Sequence, residues 1–476
     1  MHPTSSPLLL FSLLPLALAI NIVDFSTCNI PYIIPLDFQQ TCDRSDEYLS
    51  EDLPITDLNG NYDTILSAPT NITASFIRSR PNIWTHEPFC IESREANNGF
   101  CVYTNDRFAN GRGISIVATP KEIMNIISTS ILKDLSTTQF ENQEAGARRY
   151  KYEQVPGKGL GVIANATFVR GAKLQSYTPI LAFQDDMMQF MSRQDRDLMQ
   201  SIAVSRLPKA SQDIFYSLMG HAGENPILDR IKTNAFTVNM GNFQTADFFW
   251  GVLPETSRFN HDCRPNSAYF FNSETLSHHV HAVREIRPGE EITISYLTPY
   301  LQTHQREHKM RKQWGFKCTC SLCTAPHHMQ QISDHRLSLL PGLEDELNDL
   351  SPTRTATPST AILLATLFES ENLIAAAADA YMYASLEYAY LSDKRNAQIW
   401  AAKAVEGMAL SMGVEHVYYV AMWDMLLDPE RTDAWGFVGN GFRMRNGTVV
   451  SKGAEAKVAV SGGAVVTING VTSGSV

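Results

Sequence analysis

The sequence contains no hydrophobic run of the about 20 residues that a helix needs to cross a bilayer, which excludes a polytopic membrane protein. It also has little positive charge. Lys and Arg total 39 against 50 Asp and Glu, giving a formal net charge of −11. General nucleic-acid binding is therefore not expected, because phosphate recognition requires a basic surface. The remaining composition is globular, with 44% hydrophobic and 19% charged residues over 476 positions. This length accommodates about two to four domains.

Cysteine is absent between Cys101 and Cys263, and this gap divides the eight cysteines into two groups of four. The early group is widely spaced and suits two disulfides, which require an oxidising compartment. Its members are Cys28, Cys42, Cys90 and Cys101. The late group ends in a Cys-x-Cys-x-x-Cys pattern and has the right number of thiols for one tetrahedral zinc site. Its members are Cys263, Cys318, Cys320 and Cys323. Free thiols or disulfides are the alternative interpretation of the late group.

The N-terminal segment has the pattern of a signal peptide. Leu8 to Ile20 is apolar apart from Ser12, is too short to span a bilayer, and includes the small-x-small pattern Ala17-Leu18-Ala19. We expect cleavage after Ala19 and entry into the secretory pathway or secretion. No Lys or Arg precedes the run, so a buried N-terminal segment in a nuclear or cytoplasmic protein is the alternative. Asn-x-Ser/Thr glycosylation acceptors occur at Asn71, Asn165 and Asn446.

Four pieces of sequence carry the chemistry when they are taken together. The first is a glycine turn between predicted strands, Gly157-Lys158-Gly159-Leu160-Gly161, and the second is Asn234-Ala235-Phe236. The third is Arg258-Phe259-Asn260-His261-Asp262-Cys263-Arg264-Pro265-Asn266. The fourth is Gly289-Glu290-Glu291-Ile292-Thr293-Ile294-Ser295-Tyr296, which the late cysteine pattern follows.

In these pieces the sequence resembles the SET-domain protein-lysine methyltransferases, over about residues 150–323. The third piece is similar to their Asn-His-Ser-Cys-x-Pro-Asn motif, and the fourth to Gly-Glu-Glu-Leu-x-x-x-Tyr with its post-SET cysteines. The resemblance is closest to the SET-and-MYND-like branch, but no cysteines are present here for a MYND finger. It implies an α+β fold: a SET β-fold with a pseudoknot and a helical insert, a zinc-binding post-SET segment, and a C-terminal α-helical module.

The resemblance also implies roles for individual residues. Tyr296 would be the catalytic residue, and with Phe236 it would wall the channel that admits a substrate lysine. Trp314 and Phe316 would stack on the adenine of S-adenosylmethionine. The remaining cofactor-binding residues would be Lys158, Gly159, Leu160, Gly161, Asn234, Asn260 and His261. The four late cysteines would bind zinc. Asp262 departs from the family's serine, which puts full activity in question.

Elementary chemistry agrees with these roles. Methyl transfer from a sulfonium is an in-line displacement, so alignment in a closed channel supplies most of the catalysis. The acceptor amine must be neutral, and an apolar channel disfavours the ammonium form. Tyr296 then needs only to orient the amine. We therefore predict an S-adenosylmethionine-dependent protein-lysine methyltransferase acting on a protein with an exposed lysine. A catalytically inactive secreted or lumenal SET-fold binding protein is the alternative.

The rest of the chain is divided by composition. A linker rich in Ser, Thr and Pro precedes an Ala-rich helical stretch, which is similar to tetratricopeptide-type modules without a clean repeat. This helical module would bind a partner protein or cover the substrate cleft. The predicted divisions are a signal peptide at 1–19, a disulfide-capable region at 20–145, the SET domain at 146–297 with its insert at about 185–232, a post-SET segment at 298–326, a linker at 327–361, the helical module at 362–430 and a low-complexity tail at 431–476.

Two histidine patterns require separate interpretation. His304-Gln305-Arg306-Glu307-His308 fits the His-x-x-Glu-His arrangement of some zinc proteases, which is a third, competing hypothesis. The alternating residues His278, His279 and His281 are predicted to be structural positions of a strand.

Overall fold

The computed structural model describes residues 83–92, 99–133, 149–221, 225–241, 248–351 and 353–437, with the backbone of five short strands elsewhere. The predicted signal peptide, Cys28, Cys42, two of the glycosylation acceptors (Asn71 and Asn446) and most of the predicted tail lie outside the described residues. Within the described part of the chain, no helix combines the length and apolar character needed to cross a membrane.

Three sheets form the β part of the molecule. The first, ordered β1-β2-β3-β8-β10-β9, has six strands; the two four-stranded sheets are ordered β11-β14-β6-β5 and β12-β13-β7-β4. The strands are β1 Phe89–Ile91, β2 Phe100–Asn105, β3 Ile114–Ala118, β4 Gln143–Glu144, β5 Tyr150–Val155, β6 Gly159–Ala164, β7 Lys173–Tyr177, β8 Leu181–Gln184, β9 Ala235–Asn239, β10 Phe248–Val252, β11 Asn260–His261, β12 Ser267–Asn272, β13 Ser277–Ala282 and β14 Glu291–Ile294. Four further short strands lie at Phe442–Arg443, Val449–Val450, Lys457–Ala459 and Val465–Thr467.

The six-stranded sheet extends across the predicted boundary at residue 145. β2 and β3 are buried at every position, as expected for strands covered on both faces. β3 pairs in parallel with β8, which comes from the region predicted as the SET domain. The N-terminal strands therefore share a sheet and a core with that region rather than forming a unit of their own.

The early cysteines contribute one disulfide to the described residues. β1 and β2 are antiparallel, and Cys90 lies directly opposite Cys101 in their register. The two residues are joined by a disulfide bond. One of the two expected disulfides is thereby accounted for.

Helices cover the sheets and form the C-terminal region. Four of them, α2–α5, occupy the expected helical insert, and their apolar faces pack on the six-stranded sheet. The helices are α1 Pro120–Thr129, α2 Asp186–Phe190, α3 Arg193–Ser205, α4 Lys209–Tyr216, α5 Pro226–Asn234, α6 Thr303–Trp314, α7 His327–Asn348, α8 Pro358–Ser370, α9 Ala377–Tyr390, α10 Lys394–Ser411 and α11 Val417–Leu427. Single helical turns lie at Phe108–Gly111, Ile131–Lys133, Thr256–Arg258 and Pro429–Arg431. The prediction of a mixed α+β fold with a C-terminal helical region is confirmed.

The predicted linker at 327–361 differs from what the structure contains. Residues 327–348 form the 22-residue helix α7, although Pro341 lies inside it. Leu337, Leu340 and Leu347 are buried at helical spacing, and this stripe packs into the core of the C-terminal helices. The non-helical connection is confined to about residues 349–357, where Ser, Thr and Pro are concentrated.

Small residues allow the C-terminal helices to pack closely. Ala378 on α9 and Ala401 and Ala404 on α10 are fully buried in one cluster. A Cβ atom at Gly407 would lie 2.8 Å from the Cβ of Ala378, so glycine is required at that contact. The Ala-rich composition therefore reflects short distances between helix axes.

Contacts between the C-terminal helices and the rest of the described residues include two ion pairs and one aromatic pair. Arg264 pairs with Glu371 at 2.5 Å, and Arg170 pairs with Glu406 at 2.7 Å. The rings of Tyr300 and Phe368 meet edge to face, with centroids 5.9 Å apart. The first of these contacts reaches the segment that carries the Asn260–Asn266 motif.

Candidate active site

The glycine turn between β5 and β6 is held by a charged network. The Lys158 ammonium lies 2.6 Å from one carboxylate oxygen of Glu291, and the Asn260 amide donates to the other oxygen at 2.8 Å. Glu291 is the first residue of β14, which pairs with both β6 and β11. One carboxylate thus joins the first, third and fourth pieces of the sequence pattern.

The glycines of this turn serve two different needs. Gly157 and Gly159 have positive φ values of 76° and 79°, and a Cβ atom on either would meet nothing within 4 Å. Their backbone therefore borders open space that a ligand can enter. Gly161 is different, because a Cβ atom there would lie 2.6 Å from the Asn260 amide nitrogen and 2.9 Å from the Glu291 carboxylate.

The segment 260–266 lies alongside β14 and is fixed to it by side chains. The Asn266 amide nitrogen donates to the Glu291 carbonyl, and its oxygen accepts from the Thr293 N–H, each at 2.8 Å. The Ser267 hydroxyl donates to the Thr293 carbonyl at 2.6 Å. β11 itself runs parallel to β14, with Asn260 opposite Thr293 and His261 opposite Ile294. These bonds fix both ends of the segment against β14.

His261 connects the tyrosine to the cysteine cluster. Its Nδ1 accepts from the Tyr296 N–H at 3.0 Å, so in the neutral ring Nε2 carries the proton. Nε2 lies 3.3 Å from the Cys263 sulfur and donates to it. Burial lowers the pKa of His261 to about 4, which agrees with a neutral ring. Both ring nitrogens are engaged within the protein, so only the backbone groups of His261 remain for a ligand.

Tyr296 lies among aromatic residues from four elements. Its hydroxyl donates to the Phe259 carbonyl at 2.8 Å, and burial raises the pKa of this phenol above its ordinary value. The rings of Trp314 and His261 lie 5.2 Å and 5.3 Å from the Tyr296 ring, centroid to centroid. Phe236 meets Tyr269 edge to face at 5.3 Å. These aromatic residues are mostly half-buried, so they can line a narrow opening.

Trp314 and Phe316, the two residues predicted to stack on adenine, have different neighbours in the structure. Trp314 packs on Tyr296, and its ring N–H donates to the Thr233 carbonyl at 3.1 Å, so it lies beside the catalytic candidate. Phe316 packs against the cysteine cluster and stays half-buried. Of the two, only Trp314 makes an aromatic contact with Tyr296 among the described residues.

Asn234 is held at the end of α5. Its amide nitrogen donates to the carbonyls of Met219 and Arg230, at 2.7 Å and 2.8 Å. The side-chain oxygen is therefore directed away from those contacts and remains as the acceptor that a ligand could use.

The four late cysteines converge, as the zinc prediction requires. The sulfur atoms of Cys263, Cys318, Cys320 and Cys323 all lie within 4.8 Å of one another. Two of the distances from Cys263 are 4.0 Å, to Cys318, and 3.6 Å, to Cys323. A zinc tetrahedron with Zn–S bonds of about 2.3 Å has S–S edges of about 3.8 Å, so the donor set and its dimensions fit zinc. The hydrogen bond from His261 to Cys263 is the outer contact that such a thiolate typically receives.

Asp262 takes a role that a serine could also fill. Its carboxylate accepts from the Arg264 N–H at 2.8 Å and so closes the turn before Pro265. Burial raises the pKa of Asp262 to about 6, while the Arg264 N–H opposes that increase. The departure from the family motif therefore preserves the local backbone.

Two contributors were not among the predicted site residues. Glu291 lies inside the quoted Gly-Glu-Glu motif, and its pairing with Lys158 could have been inferred from the opposite charges. Tyr269 on β12 contacts Phe236, and it lies close enough to Tyr296 to influence that phenol electrostatically. Only the alternation of β12 hinted that Tyr269 shares a face with the channel.

The competing histidine patterns do not form a site among the described residues. His304 and His308 are exposed on α6, and the only group of three or more metal-ligating side chains in the described ranges is the cysteine cluster. His278, His279 and His281 are buried in β13, where burial lowers the pKa of all three. The strand role predicted for them agrees with that burial.

Comparison with known proteins identifies the central part of the chain. Residues 159–297 match the family model described as the SET domain, which confirms the resemblance. Histone-lysine N-methyltransferase set5 of Schizosaccharomyces pombe is 30% identical over 190 residues, which are 39% of this chain and 54% of that protein. Histone-lysine N-methyltransferase SMYD3 of Homo sapiens is 35% identical over 94 residues, which are 20% of this chain and 21% of that protein.

A third relative, histone-lysine N-methyltransferase SET5 of Meyerozyma guilliermondii, is 32% identical over 111 residues, which are 22% of this chain and 23% of that protein. The chain thus spans about half the length of the first of these relatives and about a fifth of the others. The part that matches the family model contains the Asn260–Asn266 segment and Tyr296.

Proposed function

We propose that this chain, which carries a SET domain, is an S-adenosylmethionine-dependent protein-lysine N-methyltransferase. The observation that carries the proposal is Tyr296. Its phenol is buried among aromatic rings, its backbone is fixed by His261, and its hydroxyl is directed to the Phe259 carbonyl. The printed names of the relatives, which describe those proteins as histone-lysine N-methyltransferases, support the same reaction class.

The residues around the glycine turn fit the cofactor. The open space at Gly157 and Gly159 lies beside Lys158, and Asn260 is held at the same place by Glu291. The side-chain oxygen of Asn234 and the backbone of His261 provide further polar groups, and Phe316 offers a ring face. When bound, S-adenosylmethionine supplies an electrophilic methyl group on a sulfonium centre. Trp314 belongs in this proposal to the lysine channel rather than to the adenine site.

The aromatic channel prepares the acceptor amine. Phe236, Tyr269, Tyr296 and Trp314 surround the incoming side chain with apolar surface, which disfavours the ammonium form and helps to release its proton to water. The raised pKa of Tyr296 keeps its hydroxyl protonated. That hydroxyl donates to the Phe259 carbonyl, so its lone pairs remain to accept from the substrate amine and fix the direction of the nitrogen lone pair.

The cysteine cluster would bind zinc as a structural ion. Four thiolates leave no open coordination position, which is typical of structural rather than catalytic zinc. Cys263 directly follows the Asn260-His261-Asp262 segment, and the other three ligands follow α6. Zinc would therefore hold Trp314 and Phe316 against the motif.

We place the substrate among proteins with accessible lysines, in the nucleus or cytoplasm, because the relatives' names refer to histones. No comparison supports the signal peptide or glycosylation. One observation favours the second candidate, an inactive lumenal SET-fold binding protein: the disulfide between Cys90 and Cys101 requires an oxidising compartment to persist.

The test uses Tyr296→Phe with Tyr216→Phe as its control, since Tyr216 is exposed at the end of α4 and its ring packs on Phe215 and Arg230 rather than on a channel residue. We expect Tyr296→Phe to lower methyl transfer to a protein mixture by about 100-fold or more, while calorimetric binding of S-adenosylmethionine persists. Tyr216→Phe should retain transfer. Unchanged transfer by Tyr296→Phe contradicts the role of the phenol. Folded, zinc-loaded protein that binds no S-adenosylmethionine overturns the proposal in favour of the second candidate.

A further inference from the structure

A buried carboxylate of the C-terminal helices has no cation beside it. Glu344 on α7 is 3% exposed. The Tyr300 hydroxyl donates to its Oε1 at 2.6 Å, but its Oε2 has no hydrogen-bond partner among the described residues. A buried acceptor without a partner is costly, so its retention calls for an explanation in terms of function or of a missing ligand.

A second carboxylate faces the first from α9. Asp379 lies one helical turn before Tyr383, and Glu344 lies one turn before Asn348. The Tyr383 hydroxyl donates to the Asn348 side-chain oxygen at 2.8 Å, which fixes the register of the two helices. Asp379 and Glu344 consequently lie opposite each other one helical turn away from this hydrogen bond, and Glu344 repels Asp379 electrostatically. The Oδ1 of Asp379 also lacks a partner in the described part of the chain.

Glu344 and Asp379 have no cationic partner among the described residues, whereas other buried carboxylates of the same helices form ion pairs with arginine. Glu387 pairs with Arg354, and Glu371 pairs with Arg264 and Arg336. No ion pair reaches Glu344 or Asp379 among the residues described. Burial raises the pKa of both groups to about 7, with repulsion from Asp345 adding to the increase at Glu344 and repulsion from Glu344 adding to the increase at Asp379.

Tyrosine rings surround the pair. Tyr300 and Tyr383 make the bonds described above, and Asp379 acts electrostatically on both Tyr383 and Tyr418. Asp379 and the three tyrosines each keep part of their surface exposed, while the two orphaned oxygens are themselves buried, so the carboxylate pair lies just beneath the protein surface. We name Tyr300, Glu344, Asp379, Tyr383 and Tyr418 the acidic groove. Carboxylates combined with aromatic faces are the chemistry that recognises organic cations.

We propose that the acidic groove binds a lysine or arginine side chain of the protein substrate, next to the segment that presents the acceptor lysine. The inference rests on the proposed function, because it concerns the substrate of that same reaction. Tyr300 follows Tyr296 by four residues, so the groove begins just beyond the strand end that carries the catalytic candidate. Substrates would then be segments that carry a second cationic residue.

The test uses the full chain and a short capped peptide in which every basic residue is arginine, compared with the same peptide containing citrulline. Calorimetry should show saturable binding of the arginine peptide only. Glu344→Gln and Asp379→Asn, which keep side-chain size, should each weaken binding by about tenfold. Asp345→Asn is the matched control, because Asp345 is the next residue on α7 and is exposed. It should leave the affinity within about twofold.

The outcomes separate this inference from the proposed function. An arginine peptide offers no lysine, so its binding does not depend on methyl transfer. Equal affinity for the citrulline peptide, or unchanged affinity in both Glu344→Gln and Asp379→Asn, overturns the inference and leaves a carboxyl pair that shares a proton. Peptide binding that follows the predicted order in a chain that transfers no methyl group supports the groove and contradicts the methyltransferase proposal instead.

Discussion

Two glutamates of the C-terminal helices are buried to the same degree and behave in opposite ways. Glu371 is 5% exposed and Glu344 is 3% exposed. Burial alone would raise the pKa of Glu371, but hydrogen bonds from Ser333, Arg264 and Arg336 bring it below its ordinary value. Glu344 receives one hydroxyl, from Tyr300, and its pKa rises to about 7. Partners, and not depth, decide the charge of a buried carboxylate.

The two glutamates belong to different kinds of site. The ion pair between Arg264 and Glu371 connects two parts of the molecule, and we call it the joint; Glu344 belongs to the acidic groove, which we call the open side. Glu371 forms an ion pair with Arg264, which belongs to the same segment as the cofactor candidate His261 and the metal candidate Cys263. This ion pair therefore fixes the C-terminal helices to the β part of the molecule. Glu344 fixes little, because its second oxygen has no partner in the described residues. Natural proteins retain such unsatisfied groups chiefly where function requires them.

The largest expected effect on stability comes from the cysteine cluster, which adjoins the joint because Cys263 directly precedes Arg264. Cys320→Ser should abolish stoichiometric zinc binding and destabilise the chain by several kcal/mol, since a structural zinc site contributes directly to folding. Zinc content and urea unfolding provide the measurement. Ser321→Ala, an exposed neighbour without a sulfur atom, should keep its zinc. Full zinc content in Cys320→Ser would show that the cluster is not the metal site.

The next effect concerns the joint itself. Glu371→Gln should destabilise the chain by about 3 kcal/mol, because it leaves the largely buried Arg264 guanidinium without a full counter-charge. Glu406→Gln removes the more exposed partner of Arg170 and should cost less than about 1 kcal/mol. Denaturant unfolding of both variants tests the contrast.

A double replacement sharpens this prediction. If the cost in Glu371→Gln comes from an uncompensated charge, Arg264→Met combined with Glu371→Met should recover much of the lost stability. Equal costs for Glu371→Gln and Glu406→Gln would contradict the view that Glu371 is the principal joint.

The sequence predicted the SET region well because its chemistry is local. Asn260, His261, Cys263 and Tyr296 belong to short motifs of fixed spacing, and pairing between β11 and β14 brings them together. The convergence of the four late cysteines was expected from their number and spacing. The role of Glu291 as the common partner of Lys158 and Asn260 required the register of strands, which no local pattern specifies.

The acidic groove and the joint could not be predicted in the same way. The helix α7 falls within the predicted linker at 327–361. Pro341 and Gly342 interrupt its pattern, and Glu344 occupies a position of the buried stripe where an apolar residue is expected. Arg264 and Glu371 are 107 residues apart, and nothing in either local sequence indicates the other. Tertiary packing decides both features.

The smallest expected effect lies on the open side and changes with pH. The ordinary pKa of Asp379 is 3.8 and burial raises it to about 7, so folding favours the protonated form. The unfolded chain loses this proton first as pH increases, and stability therefore decreases between about pH 4 and pH 7. Asp379→Asn has no such proton to lose. It should melt about 2 °C above the wild type at pH 8, with the gap closing towards pH 4.

Groups facing Asp379 set the control for this last prediction. Glu344, Tyr383 and Tyr418 interact with it electrostatically, and Asp345 acts on Glu344 from the solvent side of α7. Asp345→Asn keeps the Asp379 carboxyl, so it should retain most of the decrease in stability between about pH 4 and pH 7. If the gap between Asp379→Asn and the wild type is the same at pH 5 and pH 8, Asp379 is already charged and compensated in the fold. Asp379 would then resemble Glu371, and Glu344 would be the one buried carboxylate of the groove without a compensating partner.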